Sequence, residues 1–228
     1  MRPTHVRCTF RRNWFRGFGA AATLAMIVGA TATASAGEAH HDVGRGIELG
    51  VRLAYGAPIG GSATDAWSRM VPVIVEAAYR FHPNFSVGAS ALYGVRATKA
   101  CADNADCSSA EARFDLQLQA HLSPGHTFDP WIGVGSGLSL GFISTTTHVP
   151  TRPDSTVHFS TSGPEYVRVE LGTDIAVALH AHIGPFISLS MVKFTSATAD
   201  VASPTPLYET TSTWLMFGLR GIIDVASF

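Results

Sequence analysis

Charge is scarce in this sequence. Only 14% of its 228 residues are Asp, Glu, Lys or Arg, against roughly 25% in an ordinary soluble domain. Lysine is almost missing, with Lys99 and Lys193 its only instances. Disorder requires high charge and low hydrophobicity, and 46% of these residues are hydrophobic, so a disordered chain is excluded. The formal net charge is −1, with no Lys/Arg run beyond the first sixteen residues. A basic nucleic-acid binder is thereby excluded, and no nucleic-acid partner is expected. Long apolar runs are lacking as well. Past one N-terminal stretch, none approaches the ~20 residues of a membrane helix. The chain is therefore apolar overall, yet it is not a bundle of transmembrane helices.

What is present begins with an address. Residues 1–16 carry Arg2, Arg7, Arg11, Arg12 and Arg16 and no acid. A small, apolar stretch follows, Gly17 to Ala32. Then comes Ala34-Ser35-Ala36, the small-x-small pattern that signal peptidase accepts. This order marks residues 1–36 as a secretory signal peptide, removed from the mature chain. Phe10-Arg11-Arg12-Asn13-Trp14-Phe15 also resembles a twin-arginine signal. That route carries proteins folded before export, which conflicts with the barrel argued below, and paired arginines are common in basic leaders. Residues 37–45 are then a short periplasmic tail and 46–228 the folded part. Cleavage leaves 11 basic residues against 17 acidic ones. It also removes Cys8. Cys101 and Cys107, bracketing Ala-Asp-Asn-Ala-Asp, are expected to form a disulfide in an exported chain. No His lies between Tyr93 and Leu118, which argues against a metal there.

The rest of the chain alternates with period two. In 110–122, Ala110, Ala112, Phe114, Leu116, Leu118, Ala120 and Leu122 share one face. Glu111, Arg113, Asp115, Gln117, Gln119 and His121 share the other. A strand makes these faces purely apolar and purely polar, whereas a helix would smear them together. The pattern recurs in 46–55, 71–81 (where Ile74 breaks the polar phase), 85–96, 131–142, 166–179, 183–194 and 214–225. Eight strands of roughly 10–14 residues exceed the 5–6 usual in soluble sheets and match the ~9–11 that a tilted strand needs to cross a bilayer. The connections alternate long and short. The short ones include His82-Pro83-Asn84 and His180-Ala181-His182, and the longest is 143–165, rich in Thr, Ser and Pro. Long outer loops with short periplasmic turns are the layout of an outer-membrane barrel. The predicted fold is an eight-stranded antiparallel up-and-down transmembrane β-barrel, preceded by a cleaved signal peptide and placed in the Gram-negative outer membrane, with its lipid as partner.

In such a barrel the faces invert, apolar to lipid and charged to the axis. The predicted lumen network comprises the acids Glu48, Glu76, Glu111, Asp115, Glu170, Asp174 and Asp224, with the bases Arg52, Arg80, Arg96, Arg113, Arg168 and Arg220. Every base is Arg, which suits enclosed bidentate pairing better than Lys. Eight strands leave an interior just wide enough for side chains to fill it. The glycines of 131–142 and the small residues of 85–96 would make room for the arginines. Aromatics gather at strand ends, with Tyr55, Tyr93, Phe142 and Phe194 at one and Phe81, Phe85 and Phe128 at the other, as interfacial girdles do.

On this architecture, rather than on a motif, residues ~45–228 resemble the small eight-stranded outer-membrane barrels of the OmpA, OmpX and OmpW type. The resemblance implies the barrel-assembly machinery as a partner, with Phe228 as the terminal aromatic it reads. Asp224 and Ala226 share the phase of Phe228, whereas the apolar phase runs Leu219, Ile223, Val225, a departure from the class.

Candidate chemistry is thin. His180 and His182 sit in a short turn, His148 and His158 in the longest loop, and no His-x-Ser-Asn pattern of lipid A deacylases occurs. No catalytic residue, metal or cofactor is expected. The leading expectation is a non-enzymatic barrel with a structural or surface-interaction role, whose loops meet an extracellular ligand that the sequence does not name. The alternatives are a lipid-modifying enzyme, a narrow channel for small or apolar solutes, and a soluble exported ligand-binding barrel. The soluble barrel requires apolar residues inside and charges outside.

Overall fold

The computed structural model describes residues 45–61, 64, 67–99, 101, 104–149, 152–199 and 210–227. The expected signal peptide, the tail up to residue 44 and Phe228 lie outside the described residues. Among the described residues, no helix is long and apolar enough to cross a membrane.

The alternating segments form strands β1 (Gly46–Gly61), β2 (Trp67–His82), β3 (Phe85–Thr98), β4 (Ala105–His121), β5 (Phe128–Val149), β6 (Arg152–Ala178), β7 (Ala181–Phe194), the short β8 (Ser196–Ala199) and β9 (Thr210–Ser227). Each neighbouring pair is antiparallel from β1 through β7. β9 pairs with β7 on one side and β1 on the other, from Gly46↔Ser227 to Gly61↔Ser212, which closes an eight-stranded ring. β8 continues the β7 path past a break at Thr195 and pairs with Phe159–Ser162 of β6. Closure leaves no edge within the ring, the condition for a sheet to lie in hydrocarbon.

Burial is inverted relative to a soluble protein. Leu116 is 69% exposed, and Leu118, Val169 and Leu171 also face outward, while Arg113 is 0% and Glu170 2% exposed. The soluble-barrel alternative requires the reverse. Phe81 stacks near Phe85 at the end of the short turns, with centroids 6.3 Å apart. Tyr55 meets Phe217 at 5.6 Å towards the other end. Phe194 is the exception among the expected girdle residues. It faces inward at 6% exposure, because β7 alternates with Phe186, Ser188, Ser190 and Val192 on its inner side.

The largest departure from expectation lies in 143–165. Residues 143–149 and 152–165 are strand, not loop. β5 and β6 remain paired from Phe142↔Ser160 out to Val149↔Arg152. The apolar alternation stops where the strands leave the oily belt, but the hydrogen-bond ladder does not, and Thr is a good strand former with or without lipid. The result is a β-arm rising beyond the barrel wall. A second feature sits just below it. Opposite Ser136, β6 places both Tyr166 and Val167, a β-bulge that shifts the register between Glu165 and Val167. Tyr166 and Val167 both face out, so Glu165 and Arg168 both face in.

The wall itself yields a test. Leu116 lies mid-strand between Ala89 and Ser136, whereas Leu122 lies at the short-turn end. Leu116→Arg is expected to cost about 2–4 kcal/mol of folding stability in lipid vesicles, and Leu122→Arg about 0–1. Urea titration of folding into vesicles measures both.

Candidate functional site in the barrel lumen

β4 supplies the polar wall of the lumen. Ser109, Glu111, Arg113, Asp115, Gln117, Gln119 and His121 point inward in succession, and all are buried. The neighbouring inner face of β5 is mostly glycine, which leaves space for long side chains. A Cβ at Gly141 would lie 2.9 Å from Nη2 of Arg96, and one at Gly50 would lie 2.5 Å from the Glu76 carboxylate. Side chains of nearby strands therefore fill the space that these glycines leave.

Glu76 is the hub of the middle layer. It accepts from Arg52, from Arg220 Nε at 2.7 Å and from Gln117 Nε2 at 2.9 Å. Arg52 Nη1 donates across the bore to Glu170 Oε2 on β6 at 2.8 Å. Its guanidinium lies between the rings of Trp131 (5.5 Å) and Phe186 (5.3 Å), so cation–π attraction adds to its ion pairs. Arg220 Nη2 donates to Gln119 Oε1 on the opposite strand at 2.8 Å, and its Nη1 to Asp174 Oδ2 at 3.1 Å. Arg168 Nη1 donates to Asp115 Oδ2 at 2.6 Å, and its Nη2 to Ser90 Oγ at 3.0 Å.

The layer nearer the arm centres on Glu111. Arg96 Nη1 donates to it at 3.0 Å, Arg113 Nε at 2.7 Å and Ser139 Oγ at 2.6 Å. Arg113 Nη1 reaches Ser190 on β7 at 2.7 Å and Glu165 at 3.1 Å. At the short-turn mouth, Arg80 pairs with Glu48. Arg80 Nη2 also lies 3.4 Å from His121 Nε2, while His121 Nδ1 lies 2.8 Å from Asp129 Oδ2. A guanidinium only donates, so Nε2 accepts and Nδ1–H donates to Asp129. Asp224, the most exposed member of the predicted network, meets His182 Nε2 at 3.3 Å near this rim. Among the described residues, no three His, Cys, Asp or Glu are arranged to hold a metal.

Several lumen residues were not legible as charges on a polar face. Glu165 shares parity with Val167 and Val169, and only the bulge turns it inward. Asp129 lies just before the predicted start of its strand, in phase with inward Trp131, so extending that phase by two residues finds it. The lumen also has an apolar sector. Met70, Trp214, Met216, Val192 and Phe194 pack together on the β2, β7 and β9 side, with Trp67 against Trp214 at 6.2 Å. Ile74 belongs to this cluster, so its break of the polar phase is a true inward position. Arg96 covers it, 4.1 Å above the Trp67 ring. Away from the bore, Cys101 and Cys107 are disulfide-bonded with Cα atoms 6.0 Å apart, and Cys107 already belongs to β4.

The inverted burial and the closed ring place the chain by shape. The architecture is that of a small outer-membrane β-barrel. No family model and no curated protein matches the sequence. Solved structures similar to it include Neisserial surface protein A (12% identity, covering 78% of this chain and 96% of that one, TM-score 0.46). Ail, the attachment invasion locus protein of Yersinia pestis, is 11% identical (79% and 99% covered, TM-score 0.43). The N-terminal β-barrel domain of Pseudomonas aeruginosa OprF is 8% identical (77% and 98% covered, TM-score 0.38). The strand ring itself, not these likenesses, defines the fold.

Removing one partner from a buried ion pair leaves an uncompensated charge, at about 3–5 kcal/mol. Glu76→Gln takes one carboxylate each from Arg52 and Arg220, which keep Glu170 and Asp174, and is expected to cost up to about that much. Asp224→Asn at the half-exposed rim is expected to cost under about 1 kcal/mol. Equilibrium unfolding in detergent micelles compares the two.

Proposed function

We propose that this chain is a non-enzymatic outer-membrane protein, a filled cylinder whose role is to hold a surface-exposed β-arm for envelope structure or extracellular interaction. The observation that carries the reading is the inverted burial. The barrel turns hydrocarbon-like side chains outward along all its strands and keeps its arginines and carboxylates inside. In water that outer surface would be an aggregation liability far beyond an ordinary apolar patch. In a bilayer it needs no cover.

The lumen supports a structural role over transport. Arg52, Arg113, Arg168 and Arg220 each reach a strand three or four places round the ring. These bonds cross the bore and pair its arginines with the far walls. An apolar sector of two tryptophans, two methionines and Phe194 fills the rest towards the arm. Catalysis at a lipid-facing rim needs a nucleophile, a base and an orienting acid in mutual reach. Among the described residues, the buried His–Asp pair of His121 with Asp129 offers its second ring nitrogen to Arg80 rather than to a hydroxyl.

Expressed in a Gram-negative host, the protein is expected in the outer-membrane fraction, extractable only with detergent and faster on gels before boiling than after. In planar bilayers the wild type is expected to give no steady current, and Arg52→Ala/Arg113→Ala to open one while the barrel remains heat-modifiable. Recovery from the soluble periplasm would sink the membrane assignment. Stepwise current from the wild type would replace the filled cylinder with a conduit.

A further inference from the structure

His148 stands near the tip of the arm, outside the oily belt, and its two ring nitrogens face two different carboxylates. Nε2 lies 3.2 Å from Asp106 Oδ2 on β4, and Nδ1 lies 3.0 Å from Asp154 Oδ2 on β6. An ionised carboxylate only accepts hydrogen bonds. Both nitrogens must therefore carry a proton for both contacts to be hydrogen bonds, which makes the ring an imidazolium. The backbone converges on the same point. His148 N donates to Asn104 O at 2.7 Å, joining the arm to the connection that precedes β4. Asp106 is held one residue from Cys107, whose disulfide to Cys101 closes that connection. One ring thus ties β4, β5 and β6 together beyond the membrane.

We propose that His148 is a pH-dependent clamp that orders the surface arm when protonated and releases it when neutral. A neutral imidazole carries one N–H, so it can serve Asp106 or Asp154 but not both. The released carboxylate then faces a ring lone pair instead of a donor. Among the described residues, Asp106 and Asp154 are the ionisable groups that face the ring, one from each flanking strand. Hydrogen bonding to Asp154 and to Asp106 raises the His148 imidazole above its ordinary range. The direction follows from linkage. A group whose folded affinity for protons is raised stabilises the fold fully below its unfolded value, about pH 6.5 for His. That stabilisation is lost as pH climbs through the raised folded value. The arm is therefore held below the ordinary histidine value and loosened as pH rises through the raised one, a sense opposite to that of a buried neutral histidine. The site is solvent-exposed, so its effect is local to the arm rather than global.

The test uses the full-length protein in detergent micelles, followed by NMR. The His148 ring is titrated in the wild type, Asp106→Asn and Asp154→Asn. Amide-exchange protection of Thr146 and Thr156, corrected for intrinsic exchange, is read at each pH. The His148 midpoint is expected above the ordinary histidine value and lower in each Asn variant. Protection at Thr146 and Thr156 is expected to fall about threefold across that midpoint, the scale of an exposed ion pair. His148→Ala is expected to show the low protection at every pH. Protection that stays flat through the titration, or a His148→Ala variant as protected as the wild type at low pH, would overturn the clamp. Barrel folding, read by heat-modifiability, is expected to be unchanged in all four proteins, so an unfolded variant is recognised as such.

Discussion

Hydrocarbon offers no hydrogen-bond partner to a backbone N–H or C=O. Every such group within the oily belt must therefore find its partner in the chain itself. The last strand solves this by pairing along the whole length of the first, from Gly46↔Ser227 to Gly61↔Ser212. Once the ring is closed, the remaining design is forced. Alternate residues face lipid and must be apolar, and their neighbours face a bore too narrow to hold bulk water. The arginines and carboxylates of the inner face have to satisfy each other there.

That mutual satisfaction explains the choice of residues. Desolvating an ion is costly, and its pair recovers the cost only with good geometry and further hydrogen bonds. The planar, forked guanidinium meets that demand better than an ammonium group. Arg220 shows it, serving Glu76, Asp174 and Gln119 with three different nitrogens. The bore is nevertheless not uniformly ionic. Where β2, β7 and β9 approach the arm, Trp, Met and Phe replace charge, and Arg96 joins the sectors by lying over Trp67 while bonding Glu111. The cylinder is thus cross-braced from wall to wall.

The ring of strands was legible because the oily belt writes itself into the sequence at every second residue. β4 is the clearest case, with seven polar residues alternating against apolar ones from Ser109 to His121. The same signal ended where the belt ended. Nothing in Ser144-Thr145-Thr146-Thr147 distinguishes a polar loop from a two-sided polar strand, so the arm read as a loop. Charged lumen positions were readable by parity, whereas their partners across the bore were not, since contacts such as Arg113 to Ser190 depend on how the ring closes. The apolar sector stayed hidden for another reason: an inward Trp214 or Met216 beside outward Leu215 and Phe217 erases the alternation that separates the faces.

The bulge at Tyr166–Val167 divides β6 into two lengths of opposite parity. Below it even-numbered residues look into the bore, and above it Glu165 and Gly163 do. A single inserted residue acts as a change of step in a march. It allows the oily rhythm of Val167, Val169 and Leu171 to hand over to the arm without sending a carboxylate into lipid. The arm's two surfaces, and hence which of its threonines meet the outside world on which side, are set not at the arm but by one extra residue at its root.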